Sequence, residues 1–164
     1  MVNNDILRRV RYLFNFSDLK MIAIFKLANH DVGKEDVIGW LKKEDDSMFA
    51  EITDRELAIF LNGLIIEKRG IRDGPQPEPE KYLSNNMILQ KLKIALDLKA
   101  DDILDLFALI DKKMSKHELS AFFRKSDHKS YRVLMDQYLR NFLNALQTKY
   151  KNKLGQDSAD NNDQ

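Results

Sequence analysis

Apolar residues recur along the chain at helical spacing. Ile6, Val10, Leu13 and Phe14 follow at three- and four-residue intervals, so they share one face of a helix. A second helix is predicted from about Ser17 to Ala28, with Ile22 and Phe25 inward, and a third from near Lys34, with Val37, Trp40 and Leu41 inward. A fourth opens on the capping-box pattern Thr53-Asp54-Arg55-Glu56 and carries Leu57, Phe60, Leu61 and Leu64. Strict alternation of apolar and polar residues is not sustained over a strand length anywhere, so an all-α fold is expected.

The same series returns without a gap at an offset of 82 residues, and residues 3–70 and 85–152 share fifteen identities in 68 aligned positions. Asn3 and Asn4 match Asn85 and Asn86, Phe25 matches Phe107, and the Leu57, Phe60, Leu61, Asn62, Leu64 series matches Leu139, Phe142, Leu143, Asn144 and Leu146. Helices in the second copy are accordingly expected from Asn85, from about Ala100 to Ile110, from Lys116 behind the capping box Ser115-Lys116-His117-Glu118, and through Leu146. The Asn pair that opens each copy is read as a helix N-cap. The expectation is two tandem copies of a four-helix domain. Two copies of so long a repeat are too few for a solenoid, so packing about a pseudo-two-fold axis, or side by side, is expected.

All three prolines fall between the copies, in GPQPEPE at 74–80, which sets residues 71–84 as a linker between a first repeat at 1–70 and a second at 85–153. From 154 to 164 the chain is polar and acidic, without the apolar side chains that would offset the entropy of ordering, and a disordered tail is expected there.

Five segments carry a family resemblance: NNDIL at 3–7, WLKKEDD at 40–46, FLNGLIIEKRG at 60–70, NNMIL at 85–89 and DHKSYR at 127–132. Through them residues 1–152 resemble the YehS-like family of bacterial proteins of unknown function, built of two related copies of one helical domain. The resemblance implies a tandem bacterial domain and brings no activity to any residue. The chain departs from that pattern in its long polar tail and in Ala145, where the first copy has Gly63.

Composition narrows the chemistry. There is no cysteine in the 164 residues, which removes disulfides, thiolate metal sites and a cysteine nucleophile together. The longest apolar run is the five-residue MIAIF at 21–25, far short of the ~20 residues that span a bilayer, and the amino terminus lacks a signal-peptide pattern. A cytoplasmic protein without membrane contact is expected. His30, His117, His128 and the carboxylate clusters Glu44-Asp45-Asp46 and Asp101-Asp102-Asp105 form no catalytic or metal-binding motif, so neither an enzyme nor a metal or other cofactor is expected. The recurrent Asp54 and Asp136 are read as helix-start carboxylates.

Charge separates the copies: residues 3–70 carry a net −1, whereas residues 85–153 carry a net +6. Lys116, Arg124, Lys125, His128, Lys129 and Arg132 gather on and just after the third helix of the second copy, a candidate patch for nucleic-acid phosphate. Helices two and three, through LANHDVGKEDVIGWLKK at 27–43 and its copy, also allow a helix-turn-helix. Against this stands AIFLNGLII at 58–66, apolar nearly all round, with Ile59, Ile65 and Ile66 where the second copy has Asn141, Gln147 and Thr148. Those three isoleucines are expected in an interface with the other repeat, a second chain or a partner, while Asn62 and Asn144 are expected as buried polar anchors. The favoured reading is a non-catalytic macromolecule-binding module, a protein-interaction adaptor with a protein partner or self-association. Nucleic-acid binding is the alternative.

Overall fold

The structure, a computed structural model, describes the backbone of residues 1–162 and the side chains of residues 1–151. The described residues form eight helices and no strand: α1 (Asn3–Phe14), α2 (Asp18–Leu27), α3 (Lys34–Leu41), α4 (Asp54–Arg69), α5 (Asn85–Ala95), α6 (Ala100–Leu109), α7 (Lys116–Phe122) and α8 (Asp136–Asn162). The all-α fold and the four-helix repeat expected from the sequence are both present.

Hydroxyl side chains start four of these helices. Ser17, Thr53, Ser84 and Ser115 each accept a hydrogen bond from the backbone N–H three residues on, that of Lys20, Glu56, Met87 and Glu118. The Asn pairs are not caps. Val2 and Ser84 hold the cap positions of α1 and α5, and the Asn residues lie inside the helices. Asn4 is fully buried and works at longer range: its Nδ2 donates to the carbonyls of Trp40 and Ala50, and its Oδ1 accepts from the N–H of Ile52. One side chain thereby fixes the irregular segment between α3 and α4. An interior polar group is stable only when so matched.

Backbone irregularities repeat where side chains do not. Asn15 and Asn29 adopt the left-handed conformation behind α1 and α2, and Asp97 and Asp111 do so 82 residues later. Asn and Asp enter this region most readily after glycine. The carbonyls of Gly39 and Ala121 accept from the N–H of Ala50 and Arg132, giving both copies the same connection after their third helix.

Two compact units result, residues 1–97 and 98–164. The first holds α1 to α5 around Phe25, whose ring lies 5.3 Å from that of Trp40 and 5.2 Å from that of Phe60. The second holds α6 to α8, with Phe107 and Phe142 at 6.3 Å. These units do not coincide with the sequence copies: α5, which begins the second copy, packs along α4 in the first unit. The segment expected as a disordered tail from residue 154 continues α8 as far as Asn162; its side chains and residues 163–164 lie outside the described residues. Extending an existing helix adds a hydrogen bond for each residue fixed, without the cost of a new nucleus.

Candidate functional site

Helix α4 is apolar on opposite sides because both are used. On one side Gly63 lets it meet α2, and Phe60 packs on Phe25. On the other it runs along α5, which covers it incompletely: Ile59 is buried, while Ile65 and Ile66 stay half-buried. Between α4, α5, the end of α2 and the 70–80 segment lies a cavity of about 320 Å3. Ile59, Ile65, Ile66, Met87 and Ile94 give it an aliphatic wall, and Arg72 and Gln76 stand at its polar edge.

A charge lies in that wall. Lys91 of α5 is only 8% exposed, an expensive position for an ammonium group. Its Nζ donates to Asn62 Oδ1 at 2.6 Å and lies 3.1 Å from Glu80 Oε2. Glu80 Oε2 is itself shut off from solvent and has no directed hydrogen bond, so its contact with Lys91 is an ion pair of poor angle. Glu80 is delivered by the proline-containing segment, which is therefore more than a spacer. The same segment is pinned at its far end by Leu83 N–H, which donates to Asp54 Oδ2 at 2.9 Å. Asp54 Oδ1 meanwhile accepts from Asn3 Nδ2, so this carboxylate joins α1, α4 and the entry to α5.

The other residues singled out in the sequence lie apart from the cavity. Lys116, Arg124, Lys125, His128, Lys129 and Arg132 are all exposed in the second unit. Lys116 pairs with Asp101 at 3.2 Å, but both side chains are more than 70% exposed, so the pair contributes little. His128 Nδ1 accepts from the N–H of Ser130. Asn144 is exposed rather than a buried anchor; the matching Asn62 is buried because α5 lies over it and brings Lys91. Among the described residues no three His, Asp or Glu side chains converge as a metal site, and no helix is long and apolar enough to cross a membrane. The carboxylate clusters serve local turns: Asp46 Oδ1 accepts from Met48 N–H, and Asp102 Oδ2 from Lys99 N–H. In the proposed helix-turn-helix of the first copy, α3 buries Val37 and Trp40 and exposes the acidic Glu35 and Asp36 at its start, where a base-reading helix makes its contacts.

The model of the family described as "Protein of unknown function (DUF1456)" matches twice, at residues 3–70 and 85–152. The chain belongs to the DUF1456 family. It is 42% identical over 156 residues to "Uncharacterized protein YehS" of Escherichia coli (strain K12), a match that covers 94% of this chain and 100% of the relative. No solved structure matches it.

Of the residues that line the cavity of this DUF1456 chain, Ile59, Asn62, Ile65 and Ile66 stand out in the sequence, whereas the charged pair Lys91 and Glu80 does not. Lys91 had a legible signal, since it falls three after Ile88 and four before Ala95, inside the apolar stripe of its helix. Glu80 had none, because only the path of the linker brings it to Lys91.

Proposed function

We propose that the chain is a non-catalytic protein-binding module that receives apolar side chains of a polypeptide partner in the cavity beside α4 and α5. The observation that carries this reading is the unfinished cover of α4: Ile65 and Ile66 face a cavity whose other wall, Met87 and Ile94, is also exposed. Soluble surfaces rarely keep contiguous apolar area without a use, and concave apolar sites with a few polar groups are where partners anchor. A photo-crosslinking amino acid in place of Met87, used in an Escherichia coli lysate treated with nuclease, should capture a discrete protein, and Ile66→Asp should abolish the capture. Crosslinking that is diffuse, or unchanged by Ile66→Asp, would overturn the reading.

A second reading, nucleic-acid binding by the basic second copy, is supported by the exposure of all six basic residues named above. Phosphate contacts release counterions, so fluorescence anisotropy should show binding that weakens steeply with salt, and an Arg124→Glu, Lys125→Glu pair should flatten that dependence. Absence of binding to DNA and RNA at low salt would dismiss it.

A further inference from the structure

We infer that Val133, Met135 and Tyr138 of the second copy form, with the basic residues beside them, a docking surface for an acidic polypeptide segment that carries aliphatic side chains, a site separate from the cavity beside α4 and α5. The connection from the third helix to the fourth follows one backbone path in both copies. In the second, the N–H groups of His128, Tyr131 and Arg132 donate to the carbonyls of Lys125, His128 and Ala121 at 2.9, 3.0 and 3.2 Å. In the first, Asp46, Phe49 and Ala50 donate to Lys43, Asp46 and Gly39 at 3.0, 3.1 and 3.0 Å. Even the bond that closes the turn recurs, from Met48 N–H to Asp46 Oδ1 and from Ser130 N–H to His128 Nδ1. Inward, Ile52 and Leu134 are both buried. The first copy therefore shows what this backbone requires, and the different outer surface of the second is not demanded by the fold.

On that outer side the copies are opposites. Where the first has Glu51, Thr53 and Glu56, the second has Val133, Met135 and Tyr138, which are 64%, 61% and 41% exposed. Val133 and Met135 flank the buried Leu134, so both stand outward, and Tyr138 follows at the start of α8 with its N–H donating to Met135 O at 3.0 Å. The exchange also gives up a helix cap. Thr53 and Glu56 bond each other's backbone N–H at the start of α4, which the weakly accepting thioether of Met135 cannot reproduce. An apolar cluster held in water where a cap could stand marks a contact surface. Charge names the partner: residues 123–135 carry four Lys and Arg against one Asp, whereas residues 41–53 carry two Lys against four Asp and Glu. Arg124, Lys125, Lys129 and Arg132 are all exposed, so the apolar trio lies in a positive field that complements acidic side chains. A nucleic acid would find cations here but little platform, since Val133 and Met135 have no aromatic face and the Tyr138 ring lies beside that of Phe122 at 5.9 Å.

The test uses the full chain with labelled Val and Met methyl groups, titrated by NMR with a short peptide of alternating Glu and Leu. The Val133 and Met135 signals should shift, while that of Met48, in the matching connection of the first copy, should not. Peptides of alternating Lys and Leu, or Glu and Ser, each lack half of the complement and should bind there at least about tenfold more weakly. Met135→Thr with Tyr138→Glu installs the first copy's capping pair and leaves Val133 as the reporter. That variant should unfold at a higher temperature and yet bind the Glu and Leu peptide at least about tenfold more weakly. Unmoved Val133 and Met135 signals, equal shifts with the Lys and Leu peptide, or unchanged binding by the double variant would overturn the inference. Tighter binding of single-stranded oligothymidine at the same signals would overturn it in favour of nucleic acid, and shifts on concentrating the chain alone would overturn it in favour of self-association. The Met87 methyl reports the cavity separately, so the two protein-binding sites stand or fall independently.

Discussion

Gly63 of α4 lies so close to Ile24 of α2 that a Cβ on Gly63 would overlap the Ile24 carbonyl oxygen and stand 2.9 Å from its carbonyl carbon. The obstacle is backbone, which cannot swing aside as a side chain can. Helix propensity alone favours Ala over Gly by about 1 kcal/mol, yet Gly63→Ala should lower stability by about 1–3 kcal/mol through overpacking. The second copy has the buried Ala145 at this position, and Ala145→Gly should also be destabilising. Urea unfolding of the two variants checks the pair; a stabilising Gly63→Ala would contradict the close crossing.

Removal of the Asn4 side chain has a predictable local signature. Asn4→Leu deletes bonds to Trp40, Ala50 and Ile52 and leaves the buried Trp40 carbonyl and Ile52 N–H to find other partners. A loss of about 2–4 kcal/mol is expected, with faster hydrogen exchange at the Ile52 amide. Unchanged exchange there would show that the segment between α3 and α4 is held by something else.

These two positions show what can be read from the sequence. The copy boundaries and helix faces are legible because Ile6, Phe25, Phe60 and their partners 82 residues on keep helical spacing. The role of Asn4 is not, because Asn before an apolar series has the composition of a cap whether its side chain turns to its own helix or reaches the carbonyl of Ala50. Ile59 and Ile66 advertise a covered face without naming the cover, and that α5 buries Ile59 while leaving Ile66 half-buried beside a cavity is a fact of tertiary packing. Asn62 and Asn144 are identical in sequence and differ in surroundings, which a repeat alignment cannot register.

The Lys91 cluster should behave as a unit. Lys91→Met strips Asn62 of its donor and leaves the Glu80 carboxylate without its counter-charge, so it should cost about 2–4 kcal/mol. Asn62→Leu should cost less in the presence of Lys91→Met than alone, with a coupling of about 1–2 kcal/mol in a double-mutant cycle. Additive effects would mean that the two side chains act independently.

At high pH the response should involve Tyr150. Burial raises its phenol above the ordinary value of 10.0, so between that pH and its folded-state value the unfolded chain releases a proton that the folded chain retains. Its contribution is complete below pH 10.0 and is lost as pH rises through the folded value. Tyr150→Phe should flatten the fall in stability on the alkaline side, as measured by urea midpoints.

The placement of α5 separates the length of chain that was copied from the length that holds together. Proteolytic nicking after the exposed Arg72 would cut almost at the seam between the duplicated halves, yet it should release nothing: the downstream fragment begins with the segment that anchors Glu80 and Leu83, and its first helix remains clamped along α4. A truncation ending at residue 70 would strip α4 of that helix and bare Ile59, so it should precipitate or aggregate, whereas one ending at residue 97 keeps the whole of the first packed unit. Each half of the duplication thus carries a helix whose loss is felt by its neighbour, and fragments made by cutting at the seam should complement one another in trans.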